Sequence, residues 1–243
     1  MSFRIITASI LTVLLVLLLA GCGTPNEAGS TDTKQTNKVE KAEKEPEKEA
    51  QSLVLVETGE TAKDSDGDVY MTCGFVIENP NEDTAFEYPT VTVTAYDANG
   101  EVLATEEQTM MTIQPKEKQA FVIWAVDCNG EIPEKVEYDL DSGNIIEPSD
   151  DAILSSEFEI SGTNERKDEY GETSITGIVK NTSSNDTDDT AVIVLFRKDG
   201  RIVSGAMTYV ENLSAGKDKA FEINEYDVPE HDSFEVSAVN WAF

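Results

Sequence analysis

"KEKQAFVIWAVD", Lys116 to Asp127, returns a hundred residues later as "GKDKAFEINEYD", Gly216 to Asp227, so that Ala120, Phe121, Ile123 and Asp127 fall on Ala220, Phe221, Ile223 and Asp227. Before it in each copy, "TVTAYDANG" from Thr92 lies over "VIVLFRKDG" from Val192 at the same offset. Further upstream, "CGFVIEN" ending at Asn79 matches "ITGIVKN" ending at Asn181, and "KDSDG" from Lys63 matches "KDEYG" from Lys167. The offset drifts only where turn residues intervene, as expected of a duplicated unit.

Within each copy the period is two. Val91, Val93 and Ala95 alternate with Thr92, Thr94 and Tyr96, and Cys73, Phe75 and Ile77 alternate with Thr72, Gly74 and Val76. Short β-branched runs broken by "DANG", "RKDG", "NPNED" and "SSNDTDD" are strand and turn signals, and no window reads as a capped amphipathic helix. The expected fold is all-β: two tandem β-sandwich domains over 53–142 and 150–243, joined by a short linker at 143–149.

The first 52 residues read differently. Ile5 to Ala20 is almost wholly apolar and follows a short start carrying Arg4, the layout of a signal peptide over 1–21. At about 16 residues it falls short of the roughly 20 that a membrane-spanning helix needs. Leu19-Ala20-Gly21-Cys22 resembles the bacterial lipobox, which implies acylation of Cys22 and a chain that begins there after cleavage. Multiple acyl chains, at about 0.8 kcal/mol per buried methylene, make a lasting anchor. Residues 22–52 hold Val39 as their only large aliphatic side chain before the closing Gln51-Ser52 and no aromatic, so they are expected to be a disordered stalk. The expected location is the outer face of a bacterial membrane.

The chain carries 18 basic and 48 acidic residues, a formal net charge of −30, and most of the acids lie beyond the stalk. Such a balance argues against nucleic acid and against docking on anionic lipid, both of which need a basic patch. It favours a solvated, mobile body, a cationic partner, or divalent cations as counterions. With Cys22 set aside, Cys73 and Cys128 are an even pair in a non-cytosolic setting where a disulfide can persist; two unpaired thiols are the other reading.

The repeated pattern resembles the FxLYD-type immunoglobulin-like domain of bacterial secreted proteins and lipoproteins. In the first copy the resemblance rests on Val76, Asn79, Val93, Ala95-Tyr96-Asp97, Gly100, Pro115 and Phe121. In the second it rests on Val179, Asn181, Val194, Leu195-Phe196-Arg197, Gly200, Gly216 and Phe221. Ala95 replaces the family's leucine, and Phe196-Arg197 replaces its tyrosine and aspartate. The resemblance implies an extracytoplasmic, non-catalytic module and names no ligand.

Residues that could carry chemistry are few. His231, the lone histidine, sits in the turn "VPEHDSF" with no second histidine or nearby cysteine to complete a zinc set, and reads as a solvent-facing loop residue. "DSDGD", Asp64 to Asp68, looks like the start of a calcium loop, yet with Gly67 at the sixth position of the helix-loop-helix pattern the twelfth falls on Cys73, where a bidentate glutamate is required. A looser calcium site from Asp64, Asp66 and Asp68, or from Asp186, Asp188 and Asp189, stays open beside the plainer reading of solvated turns. Trp124 and Trp241 stand in strand-like contexts, where core packing is the default and an exposed binding surface the alternative. Trp124 faces Asn224 in the second copy, which marks it as a position where the copies diverged. The functional expectation is a non-enzymatic binding or scaffolding module for an envelope protein or cell-surface ligand, without cofactor. The alternative is a calcium-dependent surface module.

Overall fold

Strands form over the alternating and β-branched runs, and the chain is all-β. In the computed structural model, which describes residues 50–241, the one helical element is a single 3-10 turn, Ser155–Glu157. The signal peptide, Cys22 and most of the stalk lie outside the described residues. Among those described, no helix is long and apolar enough to cross a membrane.

The first half contains β1 (Val54–Ser65), β2 (Asp68–Glu78), β3 (Ala85–Glu87), β4 (Thr90–Tyr96), β5 (Val102–Thr109), β6 (Thr112–Ile113), β7 (Lys118–Asp127), β8 (Lys135–Asp141) and β9 (Asn144–Ile146). The second contains β10 (Phe158–Lys167), β11 (Glu172–Asn181), β12 (Thr187–Lys198), β13 (Arg201–Leu213), β14 (Asp218–Tyr226) and β15 (Ser233–Asn240). Hydrogen bonding groups them into antiparallel sheets β1-β2-β7, β5-β4-β8 and β6-β3-β9, then β10-β11-β14 and β13-β12-β15. No sheet mixes strands from the two halves. The segment expected as a linker carries β9, which pairs with β3.

Each half buries a core between two of its sheets. In the first, Met71, Cys73, Phe75 and Ile77 of β2 meet Val91, Val93 and Ala95 of β4. In the second, Ile175 and Val179 of β11 meet Val192, Val194 and Phe196 of β12. Asn79 and Asn181 close the ends of β2 and β11 in the same way. The buried Asn79 amide donates to the carbonyls of Thr84 (2.8 Å) and Gln114 (3.1 Å), and that of Asn181 donates to those of Asn185 (2.8 Å) and Leu213 (3.1 Å). Buried carbonyls left without donors would be costly, so this residue is fixed by accounting rather than by packing.

The two cores do not stand apart. Ala191, Ile193 and Leu195, on the other face of β12, join the hydrophobic cluster of the first half. Sheet β13-β12-β15 therefore packs on the outer face of β1-β2-β7, giving four layers in the order β5-β4-β8, β1-β2-β7, β13-β12-β15, β10-β11-β14. Residues 50–241 form one compact unit. The halves approach to backbone contact: a Cβ added at Gly59 would lie 2.0 Å from the carbonyl oxygen of Ile202, and one at Gly205 would lie 2.6 Å from Val122 Cγ2. Arg197, with a side chain 15% exposed, bonds Glu57 of the first half (2.6 Å) and Glu235 of the second (3.1 Å).

The register also corrects the sequence alignment of the two copies. Val93 pairs with Tyr138 on one side and Glu106 on the other and faces its own core. Its counterpart is Val194, which pairs with Val236 and Ala206 and faces the second core, not Ile193, which faces the first half. The ladder irregularity supports this equivalence, since it falls after Ala95 in β4 and after Phe196 in β12. The turn that follows is one residue shorter in the second copy, and a one-residue shift in a strand exchanges its faces. Phe196, rather than Leu195, thus occupies the place of Ala95.

Candidate functional site

One stretch of β7 departs from the regular ladder. Met71 pairs with Val126 and Cys73 with Ile123, so Trp124 and Ala125 together oppose the single residue Thr72. Ala125 takes the left-handed conformation, φ 57°, which an L-residue with a Cβ rarely adopts. An extra residue of this kind bends the strand and re-aims a side chain. Here it presents Trp124, 49% exposed, at the margin of the junction between the halves. The second copy has no such feature, for β14 runs in register through Ser174↔Asn224, Thr173↔Glu225 and Glu172↔Tyr226.

Trp124 forms one wall of a cleft of about 190 Å³. Tyr70 of β2 and Tyr226 at the end of β14 contribute two further aromatic rings, both largely exposed. Tyr226 is held from outside by a hydrogen bond to Glu172, which raises its phenol pKa. Glu225 also lines the cleft, half-buried. Burial lifts its carboxyl above the ordinary range, against the opposing pull of the Tyr226 backbone N–H and of Lys63. The Lys63 ammonium donates to the backbone carbonyl of Asp227 and stands 3.8 Å from its carboxylate. Beside it the Thr61 hydroxyl donates to the Val203 carbonyl (2.5 Å), so β1 is tied to the second half along the cleft's edge. The result is an aromatic-walled recess with two carboxylates and one lysine.

Of the positions singled out from the sequence, only Trp124 falls in this cleft. Trp241 packs across the junction with tilted ring contacts, 5.8 Å from the Phe121 ring and 6.1 Å from that of Tyr209. His231 is not the solvent-facing residue expected: its side chain is 12% exposed, 4.8 Å from the Phe196 ring, with Nε2 3.0 Å from Glu165. The disulfide is likewise corrected. Cys73 and Cys128 are both buried free thiols. Cys128 bonds across to Val69, four residues along β2 from Cys73, or about 13 Å of strand at about 3.3 Å per residue. Bridged cysteines need Cα atoms within about 7 Å.

The two acidic triplets do not assemble as calcium ligands. Asp66 and Gly67, both at positive φ, form the two-residue turn between Ser65 and Asp68, and Asp64 accepts from the Gly67 N–H (2.8 Å). That is the hairpin chemistry of an Asp-Gly pair rather than a coordination loop. Asp186 accepts the Ala215 N–H (2.8 Å), while the carbonyl of Asp189 accepts from Trp241, and Asp188 points to solvent at the start of β12. Among the described residues, no three His, Cys, Asp or Glu side chains converge to hold a metal ion.

Tyr70, Tyr226 and Glu225 were not legible as site residues, because they lie in different copies and meet only through the packing of the halves. The available signal was the contrast between "TVTVTAY", alternating over 90–96, and "AVIVLF", unbroken over 191–196. An unbroken apolar strand is one covered on both faces, which foretells that another layer lies against β12. Protein-family models give no match to the chain, and a search of curated proteins finds no relative.

Proposed function

We propose that this protein is a lipid-anchored, extracytoplasmic binding module without enzymatic activity, built from FxLYD-type immunoglobulin-like repeats, which engages an envelope partner through the cleft at the junction of its halves. The lipobox-like Leu19 to Cys22 segment supports the anchor, and the acidic composition is compatible with a mobile body tethered away from anionic lipid. The observation that carries the reading is the presentation of Trp124. A large aromatic ring left half in water forgoes part of the gain of burial, and it is displayed on a backbone irregularity present in one copy alone. Energy stored in rare backbone conformations clusters at sites that work on something else.

The test is cross-linking on intact cells followed by mass spectrometry, comparing the native protein with Trp124→Ala and Cys22→Ala. A partner recovered with the native protein and lost with Trp124→Ala supports the cleft as the binding site. Recovery undiminished by Trp124→Ala overturns it. Metabolic labelling with an alkynyl fatty acid tests the anchor independently, because Cys22→Ala must abolish both the label and membrane fractionation.

A further inference from the structure

We propose that the cleft receives a single cationic side chain, an arginine guanidinium or lysine ammonium presented on a polypeptide partner; this rests on the binding reading above and names its ligand class. Three features converge on it. Three aromatic residues, Trp124, Tyr70 and Tyr226, line it, and a cation set against a ring face within about 6 Å is attracted by the ring's negative quadrupole. Glu225 and Asp227 bring two carboxylates to the recess, against the one ammonium of Lys63, which is engaged by the Asp227 carbonyl and carboxylate. Burial penalises the ionised form of Glu225 by more than the Tyr226 N–H and Lys63 restore, so a further cation entering the recess relieves it.

Size narrows the ligand. Drug-sized ligands and cofactors occupy pockets of about 300 Å³ and more. A cleft of about 190 Å³ admits one long side chain or a small amine. Charge over the whole body points the same way: with 48 acidic residues against 18 basic ones, cations are drawn in and anions repelled. The molecule uses the same chemistry within itself. The Lys135 ammonium lies 5.5 Å from the Tyr96 ring centroid and bonds Glu137, placing a cation between an aromatic ring and a carboxylate.

The experiment is a fluorescence titration of the purified full chain, with Trp124→Phe used to assign the Trp124 component against Trp241. The probes are Nα-acetyl-arginine amide, its neutral analogue Nα-acetyl-citrulline amide, and triacetylchitotriose as a neutral saccharide. The expected result is a saturable change in Trp124 emission with the arginine probe, weakened at least tenfold by Glu225→Gln, and absent with citrulline. Glu225→Gln keeps the side-chain volume, and an unchanged circular dichroism spectrum shows that the variant is folded. An equal response to citrulline, or no weakening by Glu225→Gln, overturns the proposal. Binding of the saccharide but not of arginine overturns the cationic ligand while leaving the cleft a binding site. The binding reading itself falls only when Trp124→Ala leaves the cross-linked partner in place.

Discussion

Cys73 and Glu225 show how burial alone sets the chemistry of a side chain. The Cys73 thiol lies in the first core, where loss of solvent pushes its pKa up to about 12. The thiolate is the reactive form, so the folded protein should resist alkylation at mildly alkaline pH. Unfolding the Cys22→Ala variant without reductant should then expose two thiols, from Cys73 and Cys128, countable by Ellman's reagent; recovery of none would mean that they are bridged. Glu225 titrates in the opposite sense from a salt-bridged carboxylate. Its folded pKa is raised, so the native state holds its proton over a pH range where the unfolded state has lost it, and stability falls as pH rises through that range. Glu225→Gln should therefore flatten this part of the stability profile and gain at neutral pH relative to pH 4, modestly, because solvent screens a half-exposed group. Urea unfolding at the two pH values measures it, and a larger loss at neutral pH than at pH 4 would contradict the sign.

Among elements, the meeting of β1, β2 and β7 with β12 and β13 decides most. Gly59 touches the backbone of Ile202 so closely that no Cβ fits without displacement. Gly59→Val should cost about 1–3 kcal/mol by overpacking, seen as a lower urea midpoint, and it should also disturb the cleft, because Thr61 and Lys63 lie on the same strand. A midpoint equal to that of the native protein would show that the halves separate freely at that point. Nearby, β12 illustrates why burial on two faces is read differently from burial on one. Its residues Thr190 to Phe196 are all buried, odd positions toward the first half and even ones toward its own core. By contrast β4, the matching strand of the first copy, keeps Thr92 and Thr94 on an open face.

For the whole molecule, a shared hydrophobic cluster makes the two halves one thermodynamic body. Calorimetry should give a single transition over 50–241, with calorimetric and van't Hoff enthalpies in agreement; two resolved peaks would mean that the junction opens first. The excess of acids makes self-repulsion the leading long-range electrostatic effect. The melting temperature should therefore rise toward about 1 M salt, where the Debye length is about 3 Å, even though the Arg197 pairs with Glu57 and Glu235 weaken. A fall with added salt would show that those pairs outweigh the repulsion.

The strands and turns were legible in the sequence. Alternation, β-branched runs and Asp-Gly pairs are local signals that each segment carries alone, whereas the roles of the matched Asn79 and Asn181 rest on carbonyls more than thirty residues away. The sequence also marked Trp124, because Asn224 stands at the matching place. The true register of β12, the layering of one half on the other, the separation of Cys73 from Cys128, and the company of Tyr70, Glu225 and Tyr226 around Trp124 came from the fold alone. These depend on contacts between residues far apart in the chain. A pattern of period two says that a strand has two faces, but not which neighbour covers each.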